Sequence, residues 1–351
     1  VTRLAHRLRL QAEQCRLAGS PLTGALLEGA SRDLARGGVV ANLLHAHVDE
    51  PSGSVPSLRL AGALHRLVLE RKALELALHY PSVGGTAPVE DVWPAAERAC
   101  HEHLEELQHL VRLPVQTNEV GRAAALYGAL CLLPPGPVRL LELGASAGLN
   151  LRCDAFAYDV AEGVVLGAPD SPVRLVRPWQ GTHPARGRVQ VLERRGCDPA
   201  PVDPATTDGR LTLTSYVWAD QLPRLERLRG ALQVAERVPS PVERAGALEF
   251  LTRELADLPE DVTTVVWHSV VWQYVDRAER AAVDALLTRT GEAVTSRTPL
   301  ARISLEPARV GGGDYTFRLL VQRWPTGEQV HVADALGHGP PVRWTGATIT
   351  P

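Results

Sequence analysis

The stretch Val138-Arg139-Leu140-Leu141-Glu142-Leu143-Gly144-Ala145-Ser146-Ala147-Gly148-Leu149-Asn150 begins as a short apolar run, meets an acidic residue at Glu142, and turns to small residues from Gly144 to Gly148. A buried strand passing into a tight turn and then a helix is written this way, with backbone exposed at the turn. Two chemistries use the arrangement. In one, the glycines let a nucleotide lie against the backbone while Glu142 holds polar atoms of the ligand. In the other, Gly144-x-Ser146-x-Gly148 is a nucleophile elbow that presents Ser146 as the nucleophile of a hydrolase.

Outward from this stretch, the chain changes character at the breaker Pro134-Pro135-Gly136-Pro137. Before it the pattern is helical throughout. Ser20-Pro21 reads as an N-cap with proline in the first turn, opening a helix to about Leu34. Leucines from Leu58 to Leu78 predict one long helix over 57–79, and further helices are expected over 89–111 and 118–132. After the breaker, strand-like runs at 138–143, 188–193, 211–217, 263–267, 300–305, 315–323 and 329–334 alternate with helical ones at 146–152, 220–230, 241–257 and 277–290. Such alternation predicts a parallel α/β sheet. The last two strands, joined by Pro325-Thr326-Gly327, read as an antiparallel hairpin, and the Pro- and Gly-rich segment 155–187 as an irregular insertion. The expected fold is therefore an all-helical cap over 1–133 followed by a Rossmann-like α/β domain over 137–351.

Composition narrows the classes. The 351 residues are 45% hydrophobic and 22% charged, with a net charge of −3, so nothing draws the chain toward nucleic acid or an anionic membrane. Lys72 is the only lysine; the basic charge is otherwise arginine. Cys15, Cys100, Cys131, Cys153 and Cys197 are odd in number and scattered, which argues against a disulfide framework or a thiolate zinc site and fits a reducing cytoplasm. Arginines break every apolar run in the first ten residues, so no signal-peptide core is read there, and no run is long enough to span a bilayer.

Several further blocks accompany the first: Pro114 to Arg122 (Pro-Val-Gln-Thr-Asn-Glu-Val-Gly-Arg), Arg195-Gly196-Cys197-Asp198-Pro199, Val217-Trp218-Ala219-Asp220-Gln221, and His268 to Tyr274 (His-Ser-Val-Val-Trp-Gln-Tyr). With them, most of the chain resembles a bacterial family, the domain-of-unknown-function family 2332. That resemblance implies a methyltransferase-like fold and assigns no reaction. A parallel sheet ending in an antiparallel hairpin is likewise similar to class I S-adenosylmethionine methyltransferases, whose first motif is usually acidic-x-Gly-x-Gly-x-Gly. Glu142, Gly144 and Gly148 match it, while Ser146 replaces the middle glycine and brings a Cβ and hydroxyl to a crowded turn.

Each candidate residue has a functional and a plain reading. Glu142, Gly144, Ala145, Ser146, Gly148 and Asn150 would cradle the cofactor, or the turn needs small residues for packing alone. Asp198, at the end of the second sheet strand, would hold ribose hydroxyls, with Asp159 the alternative nearer in sequence, or it is a turn carboxylate before Pro199. Trp218 and Asp220, after the expected strand 211–217, would meet the adenine; otherwise Asp220 caps the following helix and Trp218 is core. His268 is placed to remove a proton from the acceptor, with Tyr274 and Glu119 beside it, against a structural histidine at a strand end. Gln116, Asn118 and Arg122 would bind the substrate, although Asn118 and Glu119 also suit a helix start. His101, Glu105 and His109 share a helix face without companion ligands, so no metal is expected. The leading expectation is S-adenosylmethionine-dependent methyl transfer to a small molecule. The alternatives are a serine hydrolase at Ser146, with His268, His331 or His338 as base, and a degenerate fold without this chemistry.

Overall fold

In the computed structural model, described over residues 2–50, 54–181, 189–310 and 315–348, the chain forms two compact units. One comprises Val1–Thr117 with Thr206–Glu226, and the other Asn118–Ala205 with Arg227–Pro351.

The first unit is helical. Thr2–Leu17 (α1), Pro21–Ala35 (α2), Val39–Leu44 (α3), Pro56–Leu69 (α4), Leu74–Ala77 (α5), Val92–Glu102 (α6) and Leu104–Leu110 (α7) surround a core that includes Leu8, Leu27, Leu60, Leu64 and Ala96. Pro21 opens α2 as read, yet the cap comes from elsewhere: Leu22 N donates to Asp220 Oδ2 at 2.9 Å and the Ser20 hydroxyl to Asp220 Oδ1 at 2.5 Å. The long helix expected over 57–79 is two helices. Arg71 adopts φ 60° and Lys72 N reaches back to Leu67 O, a left-handed helix stop without the glycine that usually announces it. The helix expected over 89–111 likewise breaks at His103, between α6 and α7.

The second unit is built on Ala123–Leu130 (α8) and a nine-stranded sheet. Its strands are Pro137–Leu143 (β1), Trp179–Gln180 (β5), Gln190–Asp198 (β6), Val242–Arg244 (β7), Thr263–Ser269 (β8), Leu300–Arg309 (β9), Tyr315–Arg323 (β10), Gln329–Leu336 (β11) and Gly339–Trp344 (β12). The order is β5-β12-β11-β10-β9-β8-β1-β6-β7. From β7 through β9 every pairing is parallel; β9 to β12 then run antiparallel, and β5 closes the far edge parallel to β12. The segment expected to be irregular holds a second small sheet, Val164–Gly167 (β3), Ala157–Ala161 (β2) and Arg174–Val176 (β4), in that order; its last residues, 182–187, lie outside the described ones.

Two helices, Ala247–Glu254 (α11) and Arg277–Glu292 (α12), bury Phe250, Leu251, Val283 and Leu287 with Leu141, Leu143 and Val266 of the central strands. Between the units' sequence segments, Thr207–Ser215 (α9) belongs to the helical unit, while Leu222–Arg237 (α10) starts in one unit and ends in the other. The division therefore falls at Thr117 and not at the proline breaker. Every residue of α8 is buried, and Tyr127 stacks on Tyr158 of β2 (4.4 Å between centroids), which stacks on Trp179 of β5 (5.7 Å). A helix apolar on all sides belongs inside, and the sheet unit is where it is covered.

Three other local expectations change. Residues 211–215 are the end of α9, with 216 and 217 in the turn after it, and the helix is opened by the Thr206 side chain, which accepts Gly209 N at 3.0 Å. The helix expected over 241–257 is β7 followed by α11. The one expected over 146–152 is only a 3-10 turn at Asn150–Ala155.

Candidate functional site

Beyond β1 the chain is held by β6. Ala145 N donates to Cys197 O at 3.0 Å, and Ser146 N donates to Asp198 Oδ2 at 2.9 Å. Asp198, the last residue of β6, also accepts Ala200 N at 2.8 Å. Gly144, Ser146 and Gly148 have φ of 66°, 53° and 64°. Glycine takes this conformation freely, whereas a serine there costs about 1–2 kcal/mol, which the bond from Asp198 helps to offset. Asn118 Oδ1 accepts Leu149 N at 3.0 Å. Arg152 closes the turn from inside, donating to Ala147 O, Gly148 O and, through Nε, Val238 O; burial lowers its pKa to about 10.

Glu142 and Trp267 are register partners on β1 and β8 and so share a face of the sheet. The indole donates to Glu142 Oε1 at 3.1 Å. Glu142 Oε2 and Asn150 Oδ1 are buried and have no hydrogen-bond partner among the described residues. Burial pushes the Glu142 carboxyl up to about 8, against the opposing pull of the Trp267 bond, Arg122 and Arg152. At neutral pH it keeps its proton and can donate as well as accept.

The polar block before α8 is divided between the units. Gln116 is buried in the helical unit; Asn118, Glu119 and Arg122 belong to the sheet unit. Glu119 accepts Gly121 N at 3.1 Å and lies 3.9 Å from Arg227 Nη2. Arg122 ties the end of β8 to the turn between β11 and β12, Nε donating to Gly337 O at 2.9 Å and Nη1 to Ser269 O at 3.2 Å.

His268 is not brought together with Glu142. It pairs in register with Leu143, one residue on, and so faces the opposite side of the sheet, with Val266 and α12. Its Nδ1 donates to Glu306 Oε1 at 2.8 Å, its Nε2 accepts Arg302 Nε at 3.0 Å, and its ring stacks on Trp272. Burial lowers its pKa, which keeps it neutral, and both nitrogens are engaged. Tyr274 closes the adjacent 3-10 turn, 47% exposed.

The placement of Trp218 and Asp220 needs correction. The strand said to carry them is α9 and its exit, within the helical unit, so they do not stand at a strand's carboxyl end. Asp220 caps α2, not the helix after it. Trp218, under the Arg224 guanidinium, lines a cavity of about 20 Å³ with His65, Tyr80 and Tyr216, room for a single water.

Sequence reading missed Glu306, Arg152 and Trp267. Glu306 carried one usable signal, a carboxylate just past the last apolar residue of a parallel strand. Among the described residues no helix is long and apolar enough to cross a membrane. A family model described as an uncharacterized protein conserved in bacteria, DUF2332, matches residues 5–344. No curated protein and no solved structure matches the chain.

Proposed function

We propose, for a chain that belongs to the uncharacterized bacterial family DUF2332, that the carboxyl end of the parallel strands binds S-adenosylmethionine for methyl transfer to a small molecule. One observation carries this reading. Chain order reverses at β1, between β6 and β8, and the turn Glu142–Gly148 leaves the sheet there. Open α/β sheets bind ligands at that reversal.

The donor set fits. Glu142 Oε2 and Asn150 Oδ1 are buried with no partner among the described residues; the protonated Glu142 Oε2 can donate to a ligand acceptor, and Asn150 Oδ1 can accept from a ligand amino or hydroxyl group. Asp198 would meet ribose hydroxyls with the lone pairs left beyond Ser146 N and Ala200 N. Gly144, Ala145 and Gly148 would line the turn. When bound, the cofactor supplies an electrophilic methyl group. The chain's own part is alignment: Arg122 fixes the end of β8 at Ser269 and the turn at Gly337, and Glu119, Asn118 and Tyr274 would border the acceptor. With both His268 nitrogens engaged, proton removal by that ring would first require one bond to break.

Calorimetric titration with S-adenosylhomocysteine tests the proposal. Saturable binding, weakened about tenfold or more in both Glu142→Ala and Asp198→Ala, supports it. No heat at millimolar ligand overturns it.

A second reading draws on Ser146 alone, whose left-handed backbone at a strand exit is the strained geometry of a nucleophile elbow. Two candidate bases are engaged elsewhere, His268 as above and His331 with Ala333 O and Asp334. Fluorophosphonate labelling that disappears in Ser146→Ala would favour a hydrolase; absence of labelling removes it.

A further inference from the structure

The loop after β8 is strained and tightly held. Val270 has φ 52°, a conformation that a β-branched side chain avoids, and its N–H is fixed to Leu305 O at 2.9 Å. Val271 then seats its side chain on the glycine turn. A Cβ added to Gly144 would stand 2.2 Å from Val271 Cγ2, so the open side of that glycine is already filled.

A single carboxylate oxygen fastens the loop. Glu306 Oε1 accepts Val271 N at 3.2 Å, Trp272 N at 3.3 Å and His268 Nδ1 at 2.8 Å. Its Oε2 is buried with no partner among the described residues. Arg302 supports the arrangement, donating to His268 Nε2 and, 2.7 Å away, to Asp284 on α12. Strain of this kind persists only where the surroundings over-determine it, and it gathers at ligand clamps.

We infer that Glu306 is a positioning residue that holds Val271 down on Gly144, making Val270–Trp272 a gate over the ligand face of the glycine turn. This rests on the cofactor reading above. The closed loop occupies the space that a ligand lying on Gly144 must take. Apparent affinity is then the intrinsic affinity reduced by the fraction of molecules with the loop open.

The test combines amide hydrogen exchange and calorimetric titration with S-adenosylhomocysteine on the full chain, for Glu306→Ala, Glu306→Gln, Val271→Ala and the double variant Glu306→Ala/Val271→Ala. Glu306→Ala should speed exchange at Val271 and Trp272 by about tenfold or more while β1 and β8 keep their protection. Glu306→Gln, which retains a carbonyl acceptor, should restore most of it. The ligand should bind about threefold or more tighter to Glu306→Ala and to Val271→Ala, with no further gain in the double variant, because both changes open one gate. A merely architectural glutamate predicts the opposite sign, weaker binding to Glu306→Ala, and that result overturns the gate. Unchanged exchange in Glu306→Ala overturns the anchoring by itself. Absence of ligand binding in every variant overturns the cofactor reading and the gate with it, while leaving the exchange result to decide what Glu306 holds.

Discussion

Glu142 is a carboxyl that folding makes harder to ionise, and this has a measurable sign. Its folded pKa of about 8 lies above the ordinary 4.5, so between those values the folded chain binds more protons than the unfolded chain. Its stabilising contribution is complete below about pH 4.5 and is lost as pH rises through about 8. Glu142→Gln keeps an acceptor for the Trp267 indole and cannot titrate. Urea unfolding at about pH 5 and about pH 9 should show the wild type losing stability relative to Glu142→Gln at the higher pH; the reverse slope would mean an ionised carboxylate. The neighbouring turn gives a second contrast. Gly144→Ala puts a Cβ at positive φ and into Val271, and should cost about 2 kcal/mol or more. Ser146→Gly removes a left-handed side chain and should leave the melting temperature unchanged or slightly raised. Glu142 and Gly144 were legible because a strand, a carboxylate and a glycine turn are adjacent in sequence. Glu306 was not, since its partners lie 34 to 38 residues away and only pairing of β8 with β9 delivers them.

Elements succeed or fail as sequence signals according to what covers them. Residues 315–323 form the strand expected of that run, and the hairpin partner follows as expected, because Pro325-Thr326-Gly327 marks the turn between them. Residues 211–217 alternate just as well, Leu-Thr-Leu-Thr-Ser-Tyr-Val, yet the cap at Thr206 and the burial of Leu213 and Ser215 on one helix win over the period-two pattern. Pairings across elements also use charge where apolarity was expected. Arg139, in the middle of the apolar strand β1, is buried and fixed by Glu254 at the end of α11, through the backbone carbonyl at 2.7 Å and the carboxylate at 2.5 Å, with Glu193 of β6 at 2.9 Å. Glu254→Ala leaves that guanidinium short of its buried counter-charge and should destabilise by about 3 kcal/mol in urea unfolding. Replacing both partners, Arg139→Met with Glu254→Leu, should cost less than the single change, because the charges that lose a partner, Glu193, Arg195 and Arg253, are each more than a third exposed and no buried charge is left alone. Equal losses would show the pair to be incidental to how α11 sits on β1.

At the scale of the whole molecule, the mixed sheet with its antiparallel end followed from the order of strand-like runs, whereas the division into units did not. The proline breaker is a local signal, and unit membership is a matter of who buries whom. Residues 118–133 join the sheet unit because α8 is apolar on every side, and residues 206–226 join the helical unit although strands of the other unit flank them in sequence. This discontinuity makes a specific expectation. Leu27 of α2 is fully buried in the helical core, and Leu27→Ala should open a cavity costing about 3 kcal/mol. Each unit has a core of its own, so the loss should appear first as local opening within one of them. Exchange should quicken in α1, α2 and α4 and also in α9, 180 residues along the chain from the mutation and packed on α4 through Arg66, which bonds Thr212 Oγ1 at 3.0 Å and Asp208 at 2.6 Å. The nearer-in-sequence β1, and β6 just before α9, should keep wild-type rates. If α9 instead exchanges in step with β6, the helix belongs to the sheet's cooperative unit and the boundary lies nearer the proline breaker.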